Sequence, residues 1–520
     1  MAEQTFTVEE LLVKHSPSRE KFSKLDADRT SVLDRARECS KLTIPSVVTD
    51  SGHTESDDLD TPYQAVGSRL VHNLASKLLL TLLPPNTSFF RLLPDPEVVQ
   101  LAQQQQQGGK DQLEKSLVTL EQEIMKQIER EALRVPIFES IKSLIISGNA
   151  LLYKTQTGLK SYKLANYVIS RDFSGNPIEI ICKEEVTKDT LPEDILQQIE
   201  NDPAIQDSTR ATIYTRAIKK LGIWYEFQEV EGILVEGSDV SYGNPNELPF
   251  IPLRWTSING ESYGRGLVEQ YLGDFRSLEA LYQLLLEASS VMARVIFGKR
   301  AGSTVDVDDI NGAENGVCIL GDLEQDITTL RVDKGSDLRV PMDMVQELTR
   351  RLEQAFLAAS SATRDSERTT ATEIRYMAAD LEKSLGGVYS ILSLELQRPL
   401  AYQLLAQTKV DLSSLGIELV IVTGVEALGR NVELDKIRQF NQLIQELGSP
   451  EIILSRLNVG VYIAKIANSL GLDTSDLIKS DEQIQQEQQA AQQQALLQQG
   501  AGSMAQSAGA AAGQQVVQQG

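Results

Sequence analysis

Side chains able to bind a metal, shuttle a proton or attack a carbonyl are sparse in this sequence. The three histidines, His15, His53 and His72, lie far apart, and none has a partner at metal-ligand spacing. Cys39, Cys182 and Cys318 are odd in number and scattered, which fits neither a disulfide framework nor a CxxC metal pair and points to a reducing compartment. No GxxxxGK[ST] loop occurs, since GGKD at Gly108 and FGKR at Phe297 lack the upstream glycine that would let backbone amides cradle a phosphate. VDVDDINGAENGVC is the best calcium candidate. Setting Gly312 at the sixth position places Val307 first and Cys318 last, where carboxylates are required, so the stretch reads as a solvated acidic turn. Catalytic carboxylates cannot be chosen among 73 acidic residues without geometry, which leaves an enzyme unsupported.

Charge narrows the partners. With 50 basic against 73 acidic residues the formal charge is −23, so the chain is not built to wrap nucleic acid by releasing condensed counterions. The N-terminus has acids where a cleaved signal needs a basic then apolar run, and nowhere do about eighteen apolar residues follow one another; a soluble protein is expected.

At 520 residues and 41% hydrophobic content the chain is long enough for several packed units, with a core of Leu, Val, Ile and Ala because aromatics are only 5%. Residues 1–58 alternate helical signals with polar joints. Thr61 as N-cap and Pro62 at the first helical position open a helix that Pro84 and Pro85 stop, with Val66, Leu70, Leu74 and Leu78 on one face. QQQQQGGKDQ reads as a solvated spacer before a helix from Leu113 to Leu133. From Ala150 to Gly237 short β-branched and aromatic runs predict an antiparallel meander with a hairpin at FSGNPIEI and a helix near 192–199. The fold class is therefore α+β and mainly α.

A long helix over 266–297 would span about 45 to 50 Å at ~1.5 Å per residue, more than a small domain is wide. A knob of about forty residues follows, rich in Asp, Gly and Thr, and then a second helix from Pro341 through Met344, Leu348, Leu352 and Phe356. SSATRDSERTTATEI, from Ser360, comes next with neither Gly nor Pro, and a capping box of Thr370 and Glu373 launches a third helix. Gly386 and Gly387 in that helix predict a bend. Further helices follow 423, and from about Asp481 the chain is Gln, Ala and Gly, a tail expected to be disordered alone. Helices this long are poorly covered in a monomer; side by side in a closed ring they would bury their apolar faces on neighbouring copies around a polar hole.

DTPYQAVGSRLVHNLASKLLLTLLPPNTSFFRL, NGESYGRGLVEQYLGDFRSLEALYQ, RTTATEIRYMAADLEKSLGGVYSILSLELQRPL and TGVEALGRNVELDKI resemble, in order and spacing, blocks of the portal or head-to-tail connector proteins of autographivirus-type podoviruses. The resemblance runs from about Tyr63 to Asp473. It implies a portal fold in a dodecameric ring at one capsid vertex, assembled in the host cytoplasm and carried in the virion, with no catalytic residue, cofactor or membrane. On that template 1–58 is an N-terminal helical segment, 59–260 the wing, 261–298 the first stem helix and 299–340 the clip. The second stem helix is then 341–359, the tunnel loop 360–370, the bent wing helix and following segment 371–422, the crown 423–480 and the tail 481–520. Implied partners are the terminase large subunit, a tail adaptor, major capsid and scaffolding proteins, internal core proteins, and duplex DNA passing without sequence readout.

In that setting Arg364, Ser366, Arg368 and Thr369 would face DNA, the arginines touching phosphates briefly against an acidic wall or pairing instead with Asp365, Glu367 or a neighbour. Lys299, Arg300, Arg350 and Arg351 are candidates for channel or inter-subunit contacts. The alternatives are a scaffold or internal virion protein without a channel, and a metal-dependent hydrolase.

Overall fold

In a computed structural model the described residues run from 17 to 422 with interruptions, the longest at 197–208, 331–337, 359–380 and 409–415. They all belong to one of two compact units, residues 1–427; the second unit, 428–520, lies outside them, as do the expected crown and tail.

The N-terminal body is helical: α1 (Ser18–Asp28), α2 (Thr30–Lys41), α3 (Val66–Leu82), then the strand β1 (Phe90–Pro94), α4 (Pro96–Gln105), α5 (Gly109–Arg130) and α6 (Arg134–Ser147). Two sequence expectations shift here. Helix α3 begins at Val66 rather than after Thr61, because Gln64 supplies the cap, its Oε1 accepting from Gly67 N at 2.8 Å. The glutamine spacer is in part helical, since α4 runs through Gln105 and α5 already includes Gly109 to Gln112; glutamine is a good helix former and follows the run before it.

The meander follows as β2 (Asn149–Lys154), β3 (Leu159–Tyr162), β4 (Tyr167–Arg171), β5 (Pro177–Thr187), β6 (Arg210–Lys220), β7 (Ile223–Val230), β8 (Ile233–Leu234), β9 (Val240–Tyr242) and β10 (Phe250–Arg254). Strands β4 to β8 lie side by side in sequence order with β9 also on β7, and β10, β2 and β3 form a second antiparallel sheet. The hairpin at FSGNPIEI joins β4 to β5: Asp172 accepts from Ser174 N and Asn176 N at 2.9 and 2.8 Å, and Gly175 takes φ 83°. These amides, Asn176 first, hold the Asp172 carboxyl below its usual range. Most of the helix expected near 192–199 falls outside the described residues.

The chain then runs through α7 (Leu267–Gln270), α8 (Leu272–Met292), β11 (Ile296–Lys299), α9 (Leu323–Asp326), β12 (Ile327–Leu330) and α10 (Arg339–Ala355). After the interruption come α11 (Gly387–Leu392), one π-helical turn (Ser393–Gln397), α12 (Arg398–Gln407) and β13 (Ile417–Ile421), which pairs back on β1. The main core joins α3, α5, α6, β2, β10, α11 and α12 with the inner ends of α8 and α10; a second core, holding Tyr167, Cys182 and Trp224, lies under the six-stranded sheet.

Candidate functional site

The segment that enters α8 is held by backbone packed on backbone. Helix α6 ends in Gly148 at φ 77°, and a Cβ there would meet Arg265 C at 2.4 Å; a Cβ on Gly266 would meet Ile146 O at 2.6 Å. Asn149 clasps the crossing, its Oδ1 accepting from Gly264 N at 2.7 Å and its Nδ2 donating to Gly264 O at 3.0 Å. The block NGESYGRG therefore has a physical role at the base of the α8–α10 pair, where side chains would hold the two segments apart.

From that base α8 runs out for 21 residues, about 31 Å, not the 45 to 50 Å expected of one helix to Phe297. Tyr271 breaks the helical run before it, and beyond Met292 the chain becomes β11, whose partner β12 pairs Ile296 with Leu330 and Lys299 with Ile327. Isoleucine and phenylalanine there favour the extended ribbon over another helical turn. Helix α10 returns beside α8 from Arg339, two residues before the expected Pro341, and ends at Ala355.

The inner ends of the pair are locked. Phe356 is fully buried with its ring 5.8 Å from Phe275 and 6.1 Å from Tyr271. Leu357 N donates to Gln354 O at 3.2 Å and Ala358 N to Glu353 O at 2.7 Å, the paired bonds of a Schellman cap, with Leu357 at φ 56° where glycine is usual. Helix α3 and the residues just before it splint α8 and α10. Glu279 accepts from Tyr63 N and Gln64 N, Arg69 pairs with Glu353 at 2.8 Å, and the buried Lys77 donates to Leu357 O at 2.6 Å. Sequence reasoning missed this clamp; a lysine inside the apolar run around Leu74 and Leu78 was its only signal.

The outer half differs. Leu284, Leu286 and Val291 on α8, and Val340, Met342 and Met344 on α10, are exposed, and only Phe275, Leu278, Leu348 and Leu352 of the two helices are buried.

The sequence-selected residues do not gather at one point. Lys299 and Arg300 are exposed at the end of β11, where Arg300 N donates to Asp326 O at 2.9 Å. Arg350 pairs with Glu347 on its own helix at 3.0 Å, and Arg351 bridges to Asp274 of α8 at 3.3 Å, so both already hold carboxylates within the subunit. Gly386 leaves helical geometry at φ 23°, ψ −89°, immediately before α11 begins at Gly387. Arg364, Ser366, Arg368 and Thr369, like the Thr370 and Glu373 capping box, lie outside the described residues.

The described residues contain no cluster of His, Cys, Asp and Glu able to hold a metal, and no helix long and apolar enough to cross a membrane. Cys39 is buried, which pushes its thiol up to about 12 and away from nucleophilic use. A cleft of about 340 Å³ beside α1, α2 and β4 is lined by Arg29, Arg35 and Arg265, yet each is engaged. Arg29 donates to Leu164 O and Ala165 O, Arg35 faces Glu269 at 3.2 Å, and Arg265 holds Glu261 and Glu269, leaving no uncommitted cation for an anionic ligand.

Among solved structures, a chain from the virion of a native gene transfer agent particle is similar over 74% of this chain and 88% of its own, at 13% identity and a TM-score of 0.35. The portal protein of Enterobacteria phage T3 is 36% identical over 481 residues, covering 89% of this chain and 88% of its own. That of Escherichia phage T7 is 35% identical over 510 residues, covering 94% and 93%, and that of Enterobacteria phage SP6 is 33% identical over 473, covering 90% of each. The family model of the bacteriophage head to tail connecting protein matches residues 17–478. The chain belongs to that family.

Proposed function

We propose that this chain is the portal subunit of a podovirus. Twelve copies close into a ring at one capsid vertex, through which DNA is driven inward by a separate motor and from which it later leaves. The observation that carries this reading is the half-covered stem: α8 and α10 bury their apolar residues near Phe356 and bare them outward, which suits lateral copies of the same chain as cover. In this assembly 299–340 meets the terminase large subunit during packaging and the tail adaptor afterwards, and the wing and crown face capsid, scaffolding and internal core proteins. The energy source belongs to the motor, so the portal needs no nucleotide site of its own.

Residues 360–370 form the tunnel loop in this reading. Arg364 and Arg368 touch passing phosphates while the acidic wall, screened over ~8 Å in physiological salt, keeps duplex from adhering. Electron microscopy and native mass measurement of the purified protein test the ring: closed rings with an open centre and no nucleotide turnover are expected, and a folded single subunit at high concentration would end the proposal. For the loop, Arg364→Ala with Arg368→Ala should lower retention of packaged DNA; unchanged retention removes the arginines from the mechanism.

A further inference from the structure

The two most exposed large hydrophobic residues among those described are Phe173, 90% exposed, and Leu221, 74% exposed. They sit on different hairpin turns of one sheet. Strands β4 to β7 are consecutive and antiparallel, so the β4–β5 and β6–β7 turns emerge from the same end. The register puts Arg171 beside Pro177 and Lys220 beside Ile223 in the last rows before those turns. With strands about 4.8 Å apart, the two tips stand roughly 10 Å from one another.

Leu221 is costly to its own turn. It takes φ 49° and Gly222 φ 90°, the geometry of a two-residue turn that favours Asn-Gly. The β7–β8 turn of the same sheet supplies a control, with Glu231 at φ 48° before Gly232 at φ 90°. There the unusual residue has local work, for Glu231 Oε1 accepts from Thr212 N at 2.8 Å and its carboxylate pairs with Arg19. Leu221 projects into solvent. The Phe173 turn is rigid as well: Arg171 donates to Gly175 O at 2.9 Å, and Arg254, whose guanidinium lies 3.2 Å from where a Gly175 Cβ would sit, is fixed by Glu395 at 2.6 Å.

Charge states what should cover the tips. Lys219 and Lys220 lead into the Leu221 turn of a chain whose formal charge is −23, and Arg171 and Arg254 brace the Phe173 turn beside it. We infer that Phe173 and Leu221 form a two-pronged contact for a separate protein with an apolar, carboxylate-rimmed surface; resting on the portal reading, this is the capsid shell around the vertex. Neighbouring copies are assigned to the stem, with which the six-stranded sheet shares no extensive packing.

The test uses the full chain co-assembled with the major capsid protein of the same virus. Leu221→Asn gives the turn its preferred residue, so paired with Phe173→Ser it should leave the melting temperature unchanged or higher and rings intact, while rings per shell fall at least tenfold. Lys219→Glu with Lys220→Glu should lower incorporation by a similar factor. Unchanged incorporation of either pair overturns the inference, as does loss of rings in the first pair, which would assign the prongs to a second copy. Wild-type protein that forms no rings, or rings that enter no shell, would overturn the portal reading itself.

Discussion

The interior of the six-stranded sheet and the α8–α10 pair treat their awkward residues in opposite ways. In the sheet even full charges are enclosed: Arg216 and Glu179, 1% and 8% exposed, meet at 2.5 Å through one carboxylate oxygen, with Lys21 at 3.5 Å. In the α8–α10 pair, methionines and leucines stand in solvent at the outer half although the inner half is tightly packed. The interior of the sheet, which has paid the desolvation of a buried ion pair, is complete within one chain and bares large apolar residues at hairpin tips such as Phe173 and Leu221; a helix pair that leaves apolar residues wet along half its length is half of something.

Substitutions can break this contrast or sharpen it. The largest loss should come from the sheet: Arg216→Ala leaves the buried Glu179 carboxylate with only the half-exposed Lys21 at 3.5 Å and should cost about 3 to 5 kcal/mol in denaturant titration. At the inner end of α10 Leu352→Ala should cost about 2 to 5 kcal/mol, the range for a buried leucine, read the same way. Lys77→Met keeps the packing but removes the donor to Leu357 O, and about 1 to 3 kcal/mol is expected, with faster amide exchange at Leu357 and Ala358.

Glu226 gives a smaller, pH-dependent effect. Burial holds its carboxyl above the ordinary 4.5 although Tyr153 and Tyr242 hydroxyls each donate to it at 2.8 Å. A raised folded pKa means the fold binds this proton more tightly than the unfolded chain does. Its contribution is therefore complete below 4.5 and is lost as pH rises through the elevated value. Glu226→Gln should remove that dependence, so thermal melts should show the variant gaining on the wild type from acid toward neutral pH. Last, Leu286→Ser should change single-subunit stability by less than about 0.5 kcal/mol, yet lower the fraction of closed rings in native mass spectra.

Much of the architecture was legible because its signals are local. Alternating β-branched runs and the Asp172 to Asn176 turn read directly as a meander, and the spacing of Leu348, Leu352 and Phe356 as one helix face. What escaped depends on distant partners. Nothing near Thr61 shows that Gln64 takes over the cap, and the end of α8 at Met292 is set by a strand pairing with residues thirty positions on. The clamp of α3 on the end of α10 joins residues about 280 apart in the chain, where periodicity says nothing. The arginines chosen for chemistry were legible only as charges; the carboxylates that engage Arg350 and Arg351 could be found only in three dimensions.

The cap at Leu357, with Lys77 beneath it, also has a mechanical meaning. Helices α8 and α10 are a beam clamped at the root and unsupported toward the β11–β12 ribbon, so an isolated subunit flexes most at its far tip and least at Phe356. A push or twist delivered to that tip is taken up as bending of the outer helices. It reaches the root as torque on α3 and the residues just before it, where Tyr63 and Gln64 hold Glu279 of α8 while Arg69 and Lys77 hold Glu353 and Leu357 at the end of α10.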